Sequence, residues 1–266
     1  MIRKSEKILV LGAGKMIEGI LTGLQKKMDL SEVLIFSPSG LSAQKLAKKL
    51  GAKWAQDIQQ TDPDMILVGC KPQQIRELKR LIGDKFSEVP AMSILAAISE
   101  KTQREILGLS KLIRIMPNLA VAFNEGVSLV SSSSAPEFLP KIQEMFSHLG
   151  HVEMVSEKEL EDLTLLTGSS AAFFYEFAHY LAESFGSLDP ERREGLIRKV
   201  LMGASSTLKN SHEGLEELIG NVTSKGGVTI AVLEEFRRQG LDESVKAGVA
   251  KGHERARNLS SSILQS

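Results

Sequence analysis

The chain is nearly without cysteine: Cys70 is the single one among 266 residues. No intramolecular disulfide is available, which excludes a disulfide-stapled fold and fits a reducing compartment. Neither charge is in excess, with 33 Lys plus Arg against 33 Asp plus Glu. That balance excludes a basic surface that binds nucleic acid by releasing counterions. It also offers no Lys/Arg cluster for anionic lipid. No apolar run approaches the ~20 residues of a membrane span. Arg3, Lys4 and Lys7 before ILVLGAG imitate a signal peptide. The apolar run is short and lacks a small-residue cleavage pattern, so it reads as a buried strand. The expectation is a soluble, cytoplasmic protein with no nucleic-acid or membrane partner. His148 and His151 have HxxH spacing, but Gly150 interrupts any helix there, and no metal is expected.

What the chain does have is alternation. Short apolar runs occur at KILVL (7–11), VLIF (33–36), MILVGC (65–70), SILAAI (93–98), LIRIM (112–116) and GVSLV (126–130). Helical patterns follow them: Met16, Ile17, Ile20, Leu21, Leu24 and Met28; then 42–50, stopped by Gly51; a helix started by Pro72; and 100–107. Such runs, bounded by turns and separated by helices, predict a parallel sheet covered on both faces. Ser131–Ser134 read as a loop. After about Glu157 the strand-like runs stop, and 158–184, 190–210, 213–221 and 227–260 carry helical periodicity. The expected fold class is α/β: a Rossmann-type doubly wound domain over 1–157, then an all-α domain over 158–266.

KILVLGAGKMIEGI puts Gly12 and Gly14 between a strand and a helix. Gly12 permits the tight turn, and Gly14 lets the backbone approach a pyrophosphate seated on free helix N–H groups. Ala13, Lys15 and Met16 complete this cofactor turn. The third glycine position of the dinucleotide fingerprint holds Ile17, which predicts looser helix–sheet packing, with Gly19 as partial compensation. The second strand ends in Ser37-Pro38-Ser39-Gly40, without the carboxylate that would bond a ribose 2′-hydroxyl. Hydroxyls and the missing anion favour NADP, NADPH over NADH, although no Arg sits in the turn. The competing reading makes Ser37 and Ser39 turn formers only.

GCKPQ (69–73), RIMPNLAVAFNEGVSLV (114–130), LTLLTGSSAAF (163–173) and NVTSKGGVTIAVLEEFRRQG (221–240) identify a likeness. In order and spacing they resemble the pyrroline-5-carboxylate reductase family, with SKGGVT matching the family's SPGGTT. The resemblance implies a helical domain that interlocks with its copy in a homodimer, often within larger rings. It implies that NAD(P)H delivers hydride to the C=N carbon of Δ1-pyrroline-5-carboxylate to give L-proline. Ser224, Gly226 and Gly227 would then open a helix whose N–H groups grip the substrate carboxylate, with Lys225 beside them. Thr229, in the first turn, would hydrogen-bond the ring nitrogen, which makes Thr229 and Ser224 the catalytic candidates. The resemblance also places Cys70, Lys71, Pro72, Leu95 and Ala96 near the nicotinamide half. It puts Asn221 on the cofactor across the dimer, and Asn118 of MPN in the substrate site.

The chain departs from the family's pattern at several positions. Lys15 and Ile58 replace asparagines, Leu119-Ala120 replace Thr-Pro, and Ser170-Ala171 replace Gly-Pro. Phe173 replaces Tyr, Lys225 the loop proline, and Val228 a small residue or Thr. These changes keep two alternatives open: an NADP-dependent imine reductase with a different substrate, and a non-catalytic NADPH-binding paralogue. A β-hydroxyacid dehydrogenase is a poor fit, because resemblance to that family would require a GxxxKxxxN-type stretch with a catalytic lysine, and 168–176 holds no lysine.

Overall fold

The computed structural model describes residues 6–265. It divides into two compact units, one holding residues to Ser169 together with those from His253, the other Ser170–Gly252.

The first unit is built on an eight-stranded sheet. In chain order it comprises β1 (Ile8–Leu11), α1 (Lys15–Gln25), β2 (Val33–Phe36), α2 (Leu41–Leu50), β3 (Lys53–Trp54), β4 (Met65–Val68), α3 (Ile75–Ile82) and β5 (Ala91–Ser93). Then come α4 (Glu100–Leu107), β6 (Leu112–Pro117), β7 (Gly126–Ser131), α5 (Leu139–Ser147), β8 (Gly150–Met154) and α6 (Glu157–Thr164). The strand order is β3-β2-β1-β4-β5-β6-β7-β8. The pleat sorts alternate residues to opposite faces. Ile8 and Val10 join Ile17, Ile20, Leu21, Leu24 and Leu46 in one core. Leu9 and Leu11 join Ile75, Leu78, Ile82 and Leu107 in the other. Burial on both faces explains why these strands are continuously apolar.

Four features differ from the sequence expectation. β7 runs antiparallel to β6. Their connection is only residues 118–125, tightened by a 3₁₀ turn over Leu119–Phe123, and is too short for the crossover that parallel pairing needs. The run 93–98 is not a strand: β5 ends at Ser93, and Ala97 turns the chain away with φ +61°. β3 has only two residues, and β8 exposes His151 and Glu153, which pair at 2.9 Å, so neither carries an apolar signal. Gly240, at φ +76°, breaks the span 227–260 into two helices.

The serine run has a structural use. Ser131 ends β7, while Ser132 and Ser134 bond the Leu112 carbonyl. Buried Glu100 accepts from the Ser133 and Ser134 amides at 2.7 and 2.9 Å.

The second unit is helical: α7 (Ser170–Glu183), α8 (Pro190–Asn210), α9 (Leu215–Asn221), α10 (Val228–Arg238) and the first part of α11 (Leu241–Gln265). Phe177 meets Phe236 edge-on at 6.1 Å, and Arg193 pairs with Glu183 at 2.6 Å. Its only buried hydrophobic residues are Ala178 and Ala182. Phe173, Phe174, Tyr175, Val200, Met202, Leu215 and Val228 are all exposed. No helix among the described residues is long and apolar enough to cross a membrane.

Candidate functional site

The first βα corner is built on two glycines with different reasons to be glycine. Gly12 has φ +132°, and a Cβ there would lie 2.5 Å from the Gly69 carbonyl oxygen. Its N–H donates to the Phe36 carbonyl at 2.9 Å, fixing the corner to β2. Gly14 has open space where its Cβ would stand. It is the N-cap of α1 (φ −82°, ψ 175°), with no side-chain cap. The first N–H groups of α1 are therefore free to meet an anion, and no methyl group blocks a close approach.

Ile17, in place of a third glycine, does not loosen the packing. Its side chain is fully buried, and the space it needs is supplied by Gly69 at the end of β4. A Cβ on Gly69 would fall 2.3 Å from Ile17 Cδ1. Gly19 is not constrained in this way: a Cβ added there would meet Val121 and Ala122 at ordinary contact distances of 3.6 and 3.7 Å.

A cleft of about 400 Å³ opens over this corner. It is lined by Gly12, Ala13 and Gly14 from the first turn, Ser37, Pro38 and Ser39 from the β2 end, and Cys70 and Lys71 from the β4 end. Lys15, Met16 and Pro72 continue these segments. The structure adds Phe36, Ser42, Gln74, Glu77, Leu78 and Leu81 to the wall, which sequence reasoning missed. Their signal was faint, because Phe36 and Leu78 belong to the core pattern while Ser42, Gln74, Glu77 and Leu81 fall outside the apolar periodicity. The Ser37 hydroxyl is buried and accepts from Ser42 Oγ at 2.9 Å and from the Ala43 amide at 3.3 Å. It acts as a cap for α2, and only its own proton is left to face a phosphate. Ser39 is exposed. Among the cleft-lining residues Lys71 is the sole cation and Glu77 the sole carboxylate.

Burial pushes the Cys70 thiol up to about 11, so at neutral pH it is a neutral wall of the cleft, not a nucleophile. The Lys71 amide donates to Gln74 Oε1 at 3.2 Å, and Pro72 starts a 3₁₀ turn that feeds α3. Leu95 is buried, whereas Ala96 beside it is exposed. Asn118 is committed to structure. Its oxygen accepts from the Ala120 and Val127 amides, and its amide donates to the Thr167 carbonyl at 3.0 Å. It thereby ties the end of β6 to the π-helical turn Leu165–Ser169.

The remaining candidates lie in the second unit. Ser224–Gly227 form a turn closed by the Gly227 amide on the Ser224 carbonyl at 3.0 Å, with Gly226 at φ +71°. Ser224 Oγ lies over Gly227, 2.3 Å from where an ideal Cβ would stand, with the Ser224 carbonyl oxygen 3.1 Å from it, so a side chain there would have to displace the serine hydroxyl. Gly227 caps α10 with φ −81° and ψ 173°, again without a side-chain cap. Thr229 stands exposed in the first turn, and Lys225 and Val228 are exposed beside it. The Asn221 amide is held by both carboxylate oxygens of Glu213 at 3.0 Å, within its own unit.

Residues 157–259 match a family model described as pyrroline-5-carboxylate reductase dimerisation, and 7–97 match one described as NADP oxidoreductase, coenzyme F420-dependent. The chain is 30% identical over 239 residues to a pyrroline-5-carboxylate reductase of Staphylococcus epidermidis, covering 86% of this chain and 88% of that protein. The structure is similar to that of a 1-pyrroline-5-carboxylate reductase from Streptococcus pyogenes, with a TM-score of 0.83, 26% identity and coverage of 96% and 99%. It shares its fold with a Plasmodium falciparum pyrroline carboxylate reductase solved with NADP bound, with a TM-score of 0.84, 18% identity and coverage of 97% and 99%.

Proposed function

The chain belongs to the pyrroline-5-carboxylate reductase family, and on that premise we propose that it reduces Δ1-pyrroline-5-carboxylate to L-proline with NADPH. One observation carries the reading: two helices begin alike on a glycine without a side-chain cap. Gly14 opens α1 at φ −82°, ψ 175°, and Gly227 opens α10 at φ −81°, ψ 173°. Each offers unpaired N–H groups at a positive helix end. The reaction needs two anion seats, one for the cofactor's pyrophosphate and one for the substrate's carboxylate.

Bound NADPH supplies the hydride, and the protein supplies orientation. Gly12–Gly14 and the first amides of α1 hold the pyrophosphate. Ser37, Ser39 and Ser42 receive the 2′-phosphate without a carboxylate in their turn to repel it. Ser224–Gly227 and the first amides of α10 grip the substrate carboxylate, with the Lys225 cation beside them. The Thr229 hydroxyl hydrogen-bonds the ring nitrogen, which takes up a proton as the C=N carbon accepts hydride. The family's dimerisation model covers the helical unit, where most large apolar side chains are exposed and none is buried. A second copy of the chain covers that surface in a homodimer.

The test is NADPH consumption by the purified protein with pyrroline-5-carboxylate, repeated with NADH and with other cyclic imines. Turnover of pyrroline-5-carboxylate, faster with NADPH, is expected. Binding of NADPH without turnover of any imine would refute the reading. Thr229→Val should lower the rate by about 5- to 150-fold, equivalent to roughly 1–3 kcal/mol for one hydrogen bond in a closed site. A wild-type rate with intact folding would remove Thr229 from the chemistry.

A further inference from the structure

We propose that Gln103 is a positioning residue for hydride transfer, acting through the turn 94–98 that follows β5. This rests on the reductase reading above. The cleft runs from the β2 end, over the β1–α1 corner, to Gly69–Lys71 at the end of β4. The next strand in the sheet is β5. A dinucleotide laid across the carboxyl ends of a doubly wound sheet, with its pyrophosphate on α1, carries its nicotinamide half onward in that direction. The chain leaving β5 therefore borders the reacting ring.

That turn is shaped from outside itself. The Ile94 amide donates to the Val68 carbonyl at 3.1 Å, and the chain then leaves the sheet. Ala97 sits at φ +61°, a conformation that disfavours a side chain and persists only where the surroundings impose it. Gln103, on α4, imposes it. Its Nε2 donates to the Ile98 carbonyl at 2.7 Å and reaches the Leu95 carbonyl at 3.4 Å. Its Oε1 accepts from Ser93 Oγ at 2.5 Å, and Ser93 Oγ in turn accepts from the Leu95 amide at 3.3 Å. Arg114 Nη2 lies 3.5 Å from the same Leu95 carbonyl. Ser93 and Gln103 are both 0% exposed.

Buried polar groups add little net stability when paired, so an apolar pair of the same shape would hold the core about as well. A fully satisfied buried network gives one fixed conformation instead. Here it fixes the exposed Ala96 between Leu95 and Ala97, both set by the network. Hydride transfer is steeply sensitive to displacements of about 1 Å, which is the error an unpinned turn would admit.

The experiment uses the full-length protein with Gln103→Met, which keeps length and removes both kinds of hydrogen bond. Ser93→Ala serves as a second, smaller variant should the first fail to fold. Thermal unfolding, the NADPH dissociation constant by fluorescence, kcat, and the primary deuterium isotope effect with 4-deuterated NADPH are measured together. The expected result is a kcat lowered by about 10-fold or more, a larger isotope effect, and NADPH affinity within about twofold of wild type. A kcat within about twofold of wild type in both folded variants would overturn the proposal, as would a loss of NADPH affinity that accounts for the whole rate loss. Wild-type protein that turns over no imine would overturn the reductase reading and this proposal with it; active wild type with unimpaired variants overturns this proposal alone.

Discussion

The two units solve the burial problem in opposite ways. The sheet unit hides most of its apolar residues within itself, chiefly in one core on each face of the sheet. The helical unit buries only Ala178 and Ala182 among its hydrophobic residues and leaves most of its large apolar side chains exposed. Exposed apolar area on this scale marks a surface meant for a partner. The sheet unit is thus finished as a single chain, while the helical unit completes its core by association. Sensitivity to mutation should differ accordingly: steric in one, concentration-dependent in the other.

The largest effect should come from Gly12→Ala. Its Cβ would collide with the Gly69 backbone at 2.5 Å, at a φ of +132°. A loss of about 3 kcal/mol or more is expected in denaturant unfolding, with no measurable NADPH binding. This loss should not depend on protein concentration. Phe174→Glu tests the other side of the contrast. Phe174 is 65% exposed in the single chain, so the substitution leaves each subunit folded. A charge forced into the association surface should weaken the homodimer by about 30- to 1,000-fold, read by sedimentation across a dilution series. An unchanged association constant would break the comparison.

Arg114→Leu should be intermediate. Arg114 is 1% exposed, and its Nη1 lies 2.6 Å from Glu157 Oε1 and 3.7 Å from Glu161. Truncation leaves Glu157, one-third exposed, without its cation and with the Glu100 amide still donating to it at 2.8 Å. That exposure reduces the usual cost of breaking a buried pair to about 1–3 kcal/mol in urea unfolding. Cys70 should show the smallest effect. Its thiol is raised from 9.0 to about 11 in the folded protein, so the fold favours the protonated form. That contribution is complete below pH 9 and disappears as pH climbs through 11, leaving stability at neutral pH untouched. At pH 8, alkylation of the folded protein should be about 100-fold slower than of the unfolded chain. Equal rates would show that the cleft wall is open.

Much of this was legible in the sequence, for identifiable reasons. Strands buried on both faces announce themselves as apolar runs, so β1, β2, β4, β6 and β7 were readable. β8, at the sheet edge, exposes His151 and Glu153 and leaves no such trace. The antiparallel turn at β7 is encoded in a connection length, not in composition. At the site, Gly12, Gly14, Ser37, Pro38, Ser39, Cys70 and Lys71 converge on one cleft because each sits at the carboxyl end of a strand or in the turn after it. Glu77 and Gln74 come from a helix and have no such positional label. Gln103 was invisible as well, because its partners, the Ser93 hydroxyl and the Leu95 and Ile98 carbonyls, are brought to it by a turn that no residue pattern declares. The free side of Ser37 was over-read, since most of its hydrogen-bonding capacity is spent on α2.

The fit between Ile17 and Gly69 has a consequence for how such corners are recognised. The hollow that lets a helix lie flush on a sheet belongs to two positions 52 residues apart in the chain. Either of them can donate the missing volume. A search that insists on the third glycine of the turn will pass over proteins that hollow out the neighbouring strand instead. The informative pattern is a paired constraint: one large and one small residue, in either order, across the first helix and the end of the fourth strand.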